Sequence, residues 1–380
     1  MLHPKKILII ALRQIGDTLI TTPLIDDVAF TWPDAEIHFL CFESSKGILA
    51  GNPHIHTFIC SSVRPKRAEY AALIKQVFWK YDMAIVTQPN DRSHLFGLLS
   101  APVRFGVVPN DAKQGWWKRM TCQHTVEVDY LNQHVITEKR KLIPEPLRRL
   151  HYPVSVTPPE SLPLPESLLN GMGRHPEKYI VIHATPLGNY KRIDPQTWVN
   201  VILFLLKKNK IFLTGSHAAS DQQLNSELLL SVPENQRNKV IDTSGQLSFG
   251  QLSTLLKGAA LYIGVDTSIS HLAAACNTPS IVLFGPTPPT NFGPWPNGFK
   301  EPQPFRLKAL EQTVGPVTIL QGPGDCVPCR KAGCDDSTVG VSQCLLNLDE
   351  VSILRLAEIK LGSKLIESAE ATLNTASNLI

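Results

Sequence analysis

The chain of 380 residues is 43% hydrophobic and 18% charged, a globular composition whose length suits two domains. A net charge of +4, from 37 basic against 33 acidic residues, argues against nucleic acid as a partner and leaves any anion to be met by a local patch. Eight cysteines and no leader sequence point to reduced thiols or metal ligands in a cytoplasmic protein, and no apolar run approaches the roughly 20 residues of a membrane span.

Along the first half, "KILIIAL", "EIHFLCF", "HTFIC", "MAIVTQ" and "VRFGVV" are short apolar runs without alternation, the pattern of strands covered on both faces. After the first of them, "ALRQIGDTLITTP" places Arg13, Gly16 and Asp17 where a strand ends and a helix begins. Either Thr22 caps that helix with Pro23 in its first turn, or the helix starts at Asp17 and kinks at Pro23. Leu24, Ile25, Val28, Ala29 and Trp32 supply its apolar face. By residue type alone Asp17 reads as a helix N-cap.

From Ile143 to Pro165 the sequence is proline-rich and aperiodic, which suits a connector. We therefore expect an N-terminal domain over 1–150, a linker over 151–175, a C-terminal domain over 176–348 and a helical tail over 349–380. The second domain repeats the plan with "KYIVIHA", "KIFLTGS", "NKVIDTSG", "LYIGVD" and "SIVLFG". Asp194-Pro195 and the capping box Ser248-x-x-Gln251 mark two of its helix starts. The expected fold class is α/β, two doubly wound parallel sheets facing a cleft lined by loops from the strands' carboxyl ends.

Two of those loops have the chemistry of an anion site. "YIGVDTSISHLAAAC" delivers Asp266, Thr267 and Ser268 to a strand end and starts a helix at once, with His271 one turn on, so that hydroxyls and free N–H groups converge. "VIHATPLGNYKRIDP" brings Thr185 and the cations Lys191 and Arg192 to the same edge. A helix cap, a buried histidine and a solvated Lys-Arg pair are the bland alternatives.

"RQIGDTLITTPLI", "HATPLGNYK" and "GVDTSISHLAAACNTPSIVLFGPTPP" together resemble the heptosyltransferases of glycosyltransferase family 9, in order and spacing from about Lys5 to Leu348. The resemblance implies a GT-B fold and transfer of heptose, with inversion, from ADP-heptose to the Kdo- and heptose-containing inner core of lipopolysaccharide. It implies Asp17 as general base, taking the acceptor hydroxyl's proton. It places Thr185, Lys191, Asp266, Thr267, Ser268 and His271 on the donor, with Lys191 and a helix N-terminus meeting the charge on departing ADP, so that no cofactor is required. Asp221, in "LTGSHAASD", is the acid nearest the position that the family uses for the ribose.

For the acidic acceptor, Arg64, Lys66 and Arg67 in "SSVRPKRAEY" form a basic cluster after a strand, with Arg92 and Arg104 as weaker candidates. A solubilising loop is the competing account. A lipid-anchored acceptor implies peripheral contact with the inner membrane, for which "QGWWKRM" (Trp116, Trp117, Lys118, Arg119) is a candidate. The "TTP" after Gly16-Asp17 leans towards enzymes that add the second or a branching heptose. Cys326, Cys329, Cys334 and Cys344, spaced C-x2-C-x4-C-x9-C, suit a structural zinc, a reduced loop or a disulfide pair.

Three rivals remain in view. A nucleotide-dependent oxidoreductase needs G-x-G-x-x-G in the first strand-helix turn, and "ALRQIGDTL" has one glycine. A GT-B epimerase or a transferase using another nucleotide sugar would keep the donor loops, and a non-catalytic relative would not need Asp17.

Overall fold

A computed structural model describes residues 3–129, 132–149, 153–172 and 178–362. They form two compact units: the first holds the described residues up to Leu162 with Ser248–Ser253 and Thr290–Leu307, and the second holds the rest.

In the first unit the five apolar runs are strands β1 (Lys6–Ala11), β2 (Glu36–Phe42), β3 (Thr57–Ser61), β4 (Met83–Val86) and β5 (Val103–Val108), and a sixth strand, β6 (His124–Glu127), too polar to stand out in the sequence, joins them. They pair in parallel in the order β3-β2-β1-β4-β5-β6. Side chains alternate along β1, so Leu8 and Ile10 meet Leu73, Val77 and Phe96 of helices Arg67–Val77 and Asp91–Ser100, while Ile7 and Ile9 are equally buried on the other face. β1 lies between β2 and β4, at the point where the strand order reverses.

The second unit contains β7 (Tyr179–His183), β8 (Lys210–Leu213), β9 (Val240–Asp242), β10 (Leu261–Val265), β11 (Ser280–Phe284), β12 (Glu311–Val314) and β13 (Val317–Gln321), in the order β12-β13-β11-β10-β7-β8-β9. The reversal here falls between β7 and β10. All pairs are parallel except β12 with β13, an edge hairpin turned by Gly315 at positive φ; neither strand is among the apolar runs named above, β12 because it is half exposed, while β13 is buried throughout. Helix Pro195–Leu205 starts as expected, the Asp194 carboxylate accepting from Gln196 N at 3.3 Å. The tail begins with helix Glu350–Leu361, whose Ile353, Leu356 and Ala357 join this unit's core; 363–380 lie outside the described residues.

The linker is not a free spacer. Val154 and Val156 are buried against a returning segment of the first unit: Trp295 Nε1 donates to Val154 O at 3.2 Å, and Asn297 exchanges bonds of 2.8 and 3.1 Å with Val156. Residues 290–307 thus belong with the N-terminal strands, a long-range pairing that breaks the contiguous division expected above. Part of the stretch is helical, Glu166–Met172, and 151–152 and 173–177 are outside the described residues.

One buried ion pair ties helix Thr22–Thr31 to helix Val135–Arg140. Arg140 Nε and Nη2 donate to the two oxygens of Asp27 at 2.5 and 2.9 Å, with the Asp27 side chain fully buried. Burial pushes the neighbouring Asp26 carboxyl up to about 7, with repulsion from Asp27 adding to it, and burial likewise raises Glu138 to about 7.

Candidate functional site

The end of β1 carries the candidate base. The chain turns through Arg13 and Gln14 into a short helix, Ile15–Leu19, followed by helix Thr22–Thr31 with Pro23 in its first turn. Thr22 is therefore the first helical residue, not its cap, and Gln14 occupies the cap position ahead of Asp17. The N-cap account of Asp17 fails: its carboxylate meets Arg13 Nε at 3.5 Å and takes no backbone N–H among the described residues.

The fold uses the main chain of Asp17 instead. Its carbonyl accepts from Thr21 Oγ1 and from Lys139 Nζ, each at 2.8 Å, and Lys139 also donates to Thr21 Oγ1 at 2.8 Å. Lys139 is fully buried; burial pulls its ammonium down to about 8, while the carboxylates of Asp17 and Glu138 favour the charge. The turn is thus pinned from beneath while the carboxylate stays partly exposed. Nothing in "TEKRK" marks Lys139 as buried, since a run of charges reads as a solvated face.

At the end of β3, Arg64, Lys66 and Arg67 are exposed, and their side chains form no hydrogen bond or ion pair among the described residues. Arg92 is different. Its guanidinium is spent on the loop that carries them, reaching Val63 O at 2.9 Å, Ser61 Oγ at 2.5 Å and Ser62 O at 3.1 Å. Arg104 is likewise engaged with Thr121 O and Ala101 O, so both are structural supports and not free anion ligands. In "QGWWKRM", Trp117 packs edge-on to His94, Lys118 reaches Asp91 at 2.8 Å and Arg119 reaches Glu127 at 2.9 Å. Trp116 and Met120, one turn apart, are the exposed large hydrophobic side chains of that helix among the described residues.

In the second unit the predicted donor residues converge at the reversal between β7 and β10. Asp266, just past β10, holds Lys191: the ammonium donates to the carboxylate at 2.5 Å and to Asp266 O at 3.1 Å. Burial alone would raise the Asp266 carboxyl, but Lys191, the Thr287 hydroxyl and His271 outweigh it and hold the pKa below the usual range. Helix Ser268–Ala275 starts directly after Thr267 with no side chain capping it. The hydroxyl of Thr185 is buried without a hydrogen-bond partner among the described residues, although buried polar atoms in folded proteins are nearly always paired, whereas the Thr267 side chain meets the Tyr262 hydroxyl. An unmet hydroxyl, an ammonium and uncapped helix N–H groups make a site suited to an anion such as a phosphate. Thr287, in the loop after β11, escaped the sequence reading because nothing local separates it from the turn "GPTPP".

Asp221 sits after β8, its carboxylate accepting from Ser216 N at 2.9 Å and Ser216 Oγ at 2.7 Å. The four spaced cysteines line one cavity of about 190 Å³. Burial, with the other three thiols nearby, pushes Cys344 up to about 11. Among the described residues no group of three or more His, Cys, Asp or Glu side chains is placed to hold a metal ion.

Residues 70–300 match the family model of glycosyltransferase family 9 (heptosyltransferase). The chain belongs to this family. It is thus a glycosyltransferase. Among curated relatives of this family 9 chain, lipopolysaccharide heptosyltransferase 3 of Escherichia coli is 28% identical over 301 residues, covering 75% of this chain and 85% of that protein. Lipooligosaccharide heptosyltransferase 2 of Haemophilus ducreyi is 23% identical over 312 residues, covering 75% and 84%. Of solved structures, E. coli ADP-heptose lps heptosyltransferase II superposes with a TM-score of 0.69 at 18% identity, covering 96% of this chain and 100% of that one. A family 9 glycosyl transferase from Veillonella parvula gives 0.70 at 17% identity, covering 94% and 97%. The fold is GT-B, built from two Rossmann-like parallel-sheet domains. Among the described residues no helix is long and apolar enough to cross a membrane.

Proposed function

We propose that this family 9 glycosyltransferase transfers heptose, with inversion, from ADP-heptose to the inner core of lipopolysaccharide, as the second or a branching heptose. The observation that carries the donor half is the Lys191–Asp266 pair, with the unpartnered hydroxyl of Thr185 and the uncapped start of helix Ser268–Ala275. Names of the relatives support the sugar and the acceptor, and "TTP" supports the position.

In this reading Asp17 accepts the acceptor hydroxyl's proton as that oxygen attacks the anomeric carbon. The bond from that carbon to the diphosphate oxygen breaks, and ADP departs with the electron pair. Lys191 and the N-terminal N–H groups of helix Ser268–Ala275 meet the developing negative charge; Ser268 and His271 complete the donor side, and the step needs no cofactor. Asp266 holds the ammonium in place before the charge appears. Arg64, Lys66 and Arg67 receive the carboxylates and phosphates of the Kdo-bearing lipid A core. The enzyme works at the cytoplasmic face of the inner membrane, with Trp116 and Met120 as its apolar contact.

The test is a transfer assay by mass spectrometry with ADP-heptose and inner-core acceptors truncated at successive sugars. One acceptor should gain a single heptose. Replacing Arg64, Lys66 and Arg67 together by Gln should raise that acceptor's KM on the order of ten-fold at low salt, less at high salt, because exposed charges are screened. If ADP binds but no acceptor is extended, the substrate is another nucleotide sugar or the chain is non-catalytic.

A further inference from the structure

The cysteine-rich segment has no part in the chemistry above, yet its contacts lead to the donor site within the second unit. Ser342 Oγ donates to Tyr190 O at 2.7 Å, directly before Lys191. Asn189 N donates to Thr338 O at 3.2 Å, and Asn189 Nδ2 to Val339 O at 3.2 Å. On the other side, Arg330 N donates to Pro286 O at 2.8 Å, directly before the Thr287 whose hydroxyl supports the Asp266 carboxylate.

The segment is itself seated closely. A Cβ on Gly285 would come within 3.1 Å of Cys344 Sγ, and one on Gly322 within 2.1 Å of Cys344 O, so glycines just past β11 and β13 admit it. Inside it, Cys334 N donates to Val341 O at 2.9 Å and Cys334 Sγ accepts from Gln343 N at 3.4 Å, next to Ser342. By contrast the loop bearing Lys191 is a single 3-10 turn, Asn189–Lys191, with a lysine side chain that has many rotamers to lose.

We propose that residues 323–347 are a positioning brace for the diphosphate end of the donor site, holding Lys191 through Ser342 and Asn189 and holding Thr287 through Arg330. The brace rests on the donor reading given under Proposed function. Because the contacts fall on residues next to Lys191 and Thr287 in the chain, the effect is on where the ammonium stands and not on whether it is charged. By linkage, anything in the brace that changes ADP affinity must be changed in turn by ADP.

The test titrates ADP and adenosine into the whole protein by calorimetry. Ser342→Ala combined with Asn189→Ala should weaken ADP about ten-fold, the effect of losing one to two hydrogen bonds, while adenosine changes less than two-fold. Arg355→Ala, which breaks an exposed pair with Glu311 in the same unit, should alter neither. In the unmodified protein, saturating ADP should slow N-ethylmaleimide labelling of Cys334, mapped by peptide mass spectrometry, and adenosine should not. Equal losses for ADP and adenosine, or an unchanged ADP affinity, would overturn the brace. If the unmodified protein binds adenosine but gains nothing from the diphosphate, the donor reading itself fails and the brace with it.

Discussion

On the proposed reading, Asp17→Asn should lower kcat for transfer by about 10²–10⁴-fold while ADP affinity stays within two-fold, since a positioned general base contributes on that order and the proposed donor residues belong to the other unit. The substitution keeps the shape of the side chain and removes its basicity. It also leaves the carbonyl that Thr21 and Lys139 hold, so the turn survives. Loss of the Asp17–Arg13 contact, with Arg13 half exposed, should cost less than about 1 kcal/mol of stability. ADP release measured in a coupled assay, beside a titration with ADP and a melting curve, separates these effects. A kcat within ten-fold of the unsubstituted enzyme would assign the base elsewhere.

The second large effect is on stability. Asp27→Ala should destabilise the first unit by about 3–5 kcal/mol, because it leaves the Arg140 guanidinium buried without its bidentate carboxylate. Replacing both partners by apolar residues, Asp27→Leu with Arg140→Met, should recover most of that loss, since the desolvation cost vanishes with the charges. Urea denaturation followed by tryptophan fluorescence gives both numbers. A single-variant loss under about 1 kcal/mol would mean that water reaches the pair.

The sheets were legible in the sequence because strands buried on both faces have to be apolar throughout, and "KILIIAL" and "LYIGVD" have no other economical reading. The meeting of Lys191 with Asp266 was legible for a related reason: a doubly wound sheet brings its strand-end loops to one edge, where hydroxyls and cations stand out against apolar runs. What escaped depends on distant partners. Lys139 and Arg92 look like solvent-facing charges until helices fold over a turn or a loop whose carbonyls need them. Val154 and Val156 sit in a proline-rich stretch that reads as a spacer, and the residues that cover them, Trp295 and Asn297, are about 140 positions away. The exposed strand β12 has no apolar face to betray it.

Asp26 and Glu138 each contribute proton uptake to folding of the first unit, opposed by His94, which burial pulls down to about 4. Each carboxyl titrates near 7 in the folded chain, against ordinary values of 3.8 and 4.5. Below about pH 4 both states carry the protons; between there and about 7 only the folded state keeps them. The stabilisation is therefore complete in acid and is lost as pH rises through about 7. The melting temperature of the first unit should fall from pH 5 to 7, and Asp26→Asn with Glu138→Gln should flatten that slope. The first unit would then carry a rigidity that responds to pH close to neutrality.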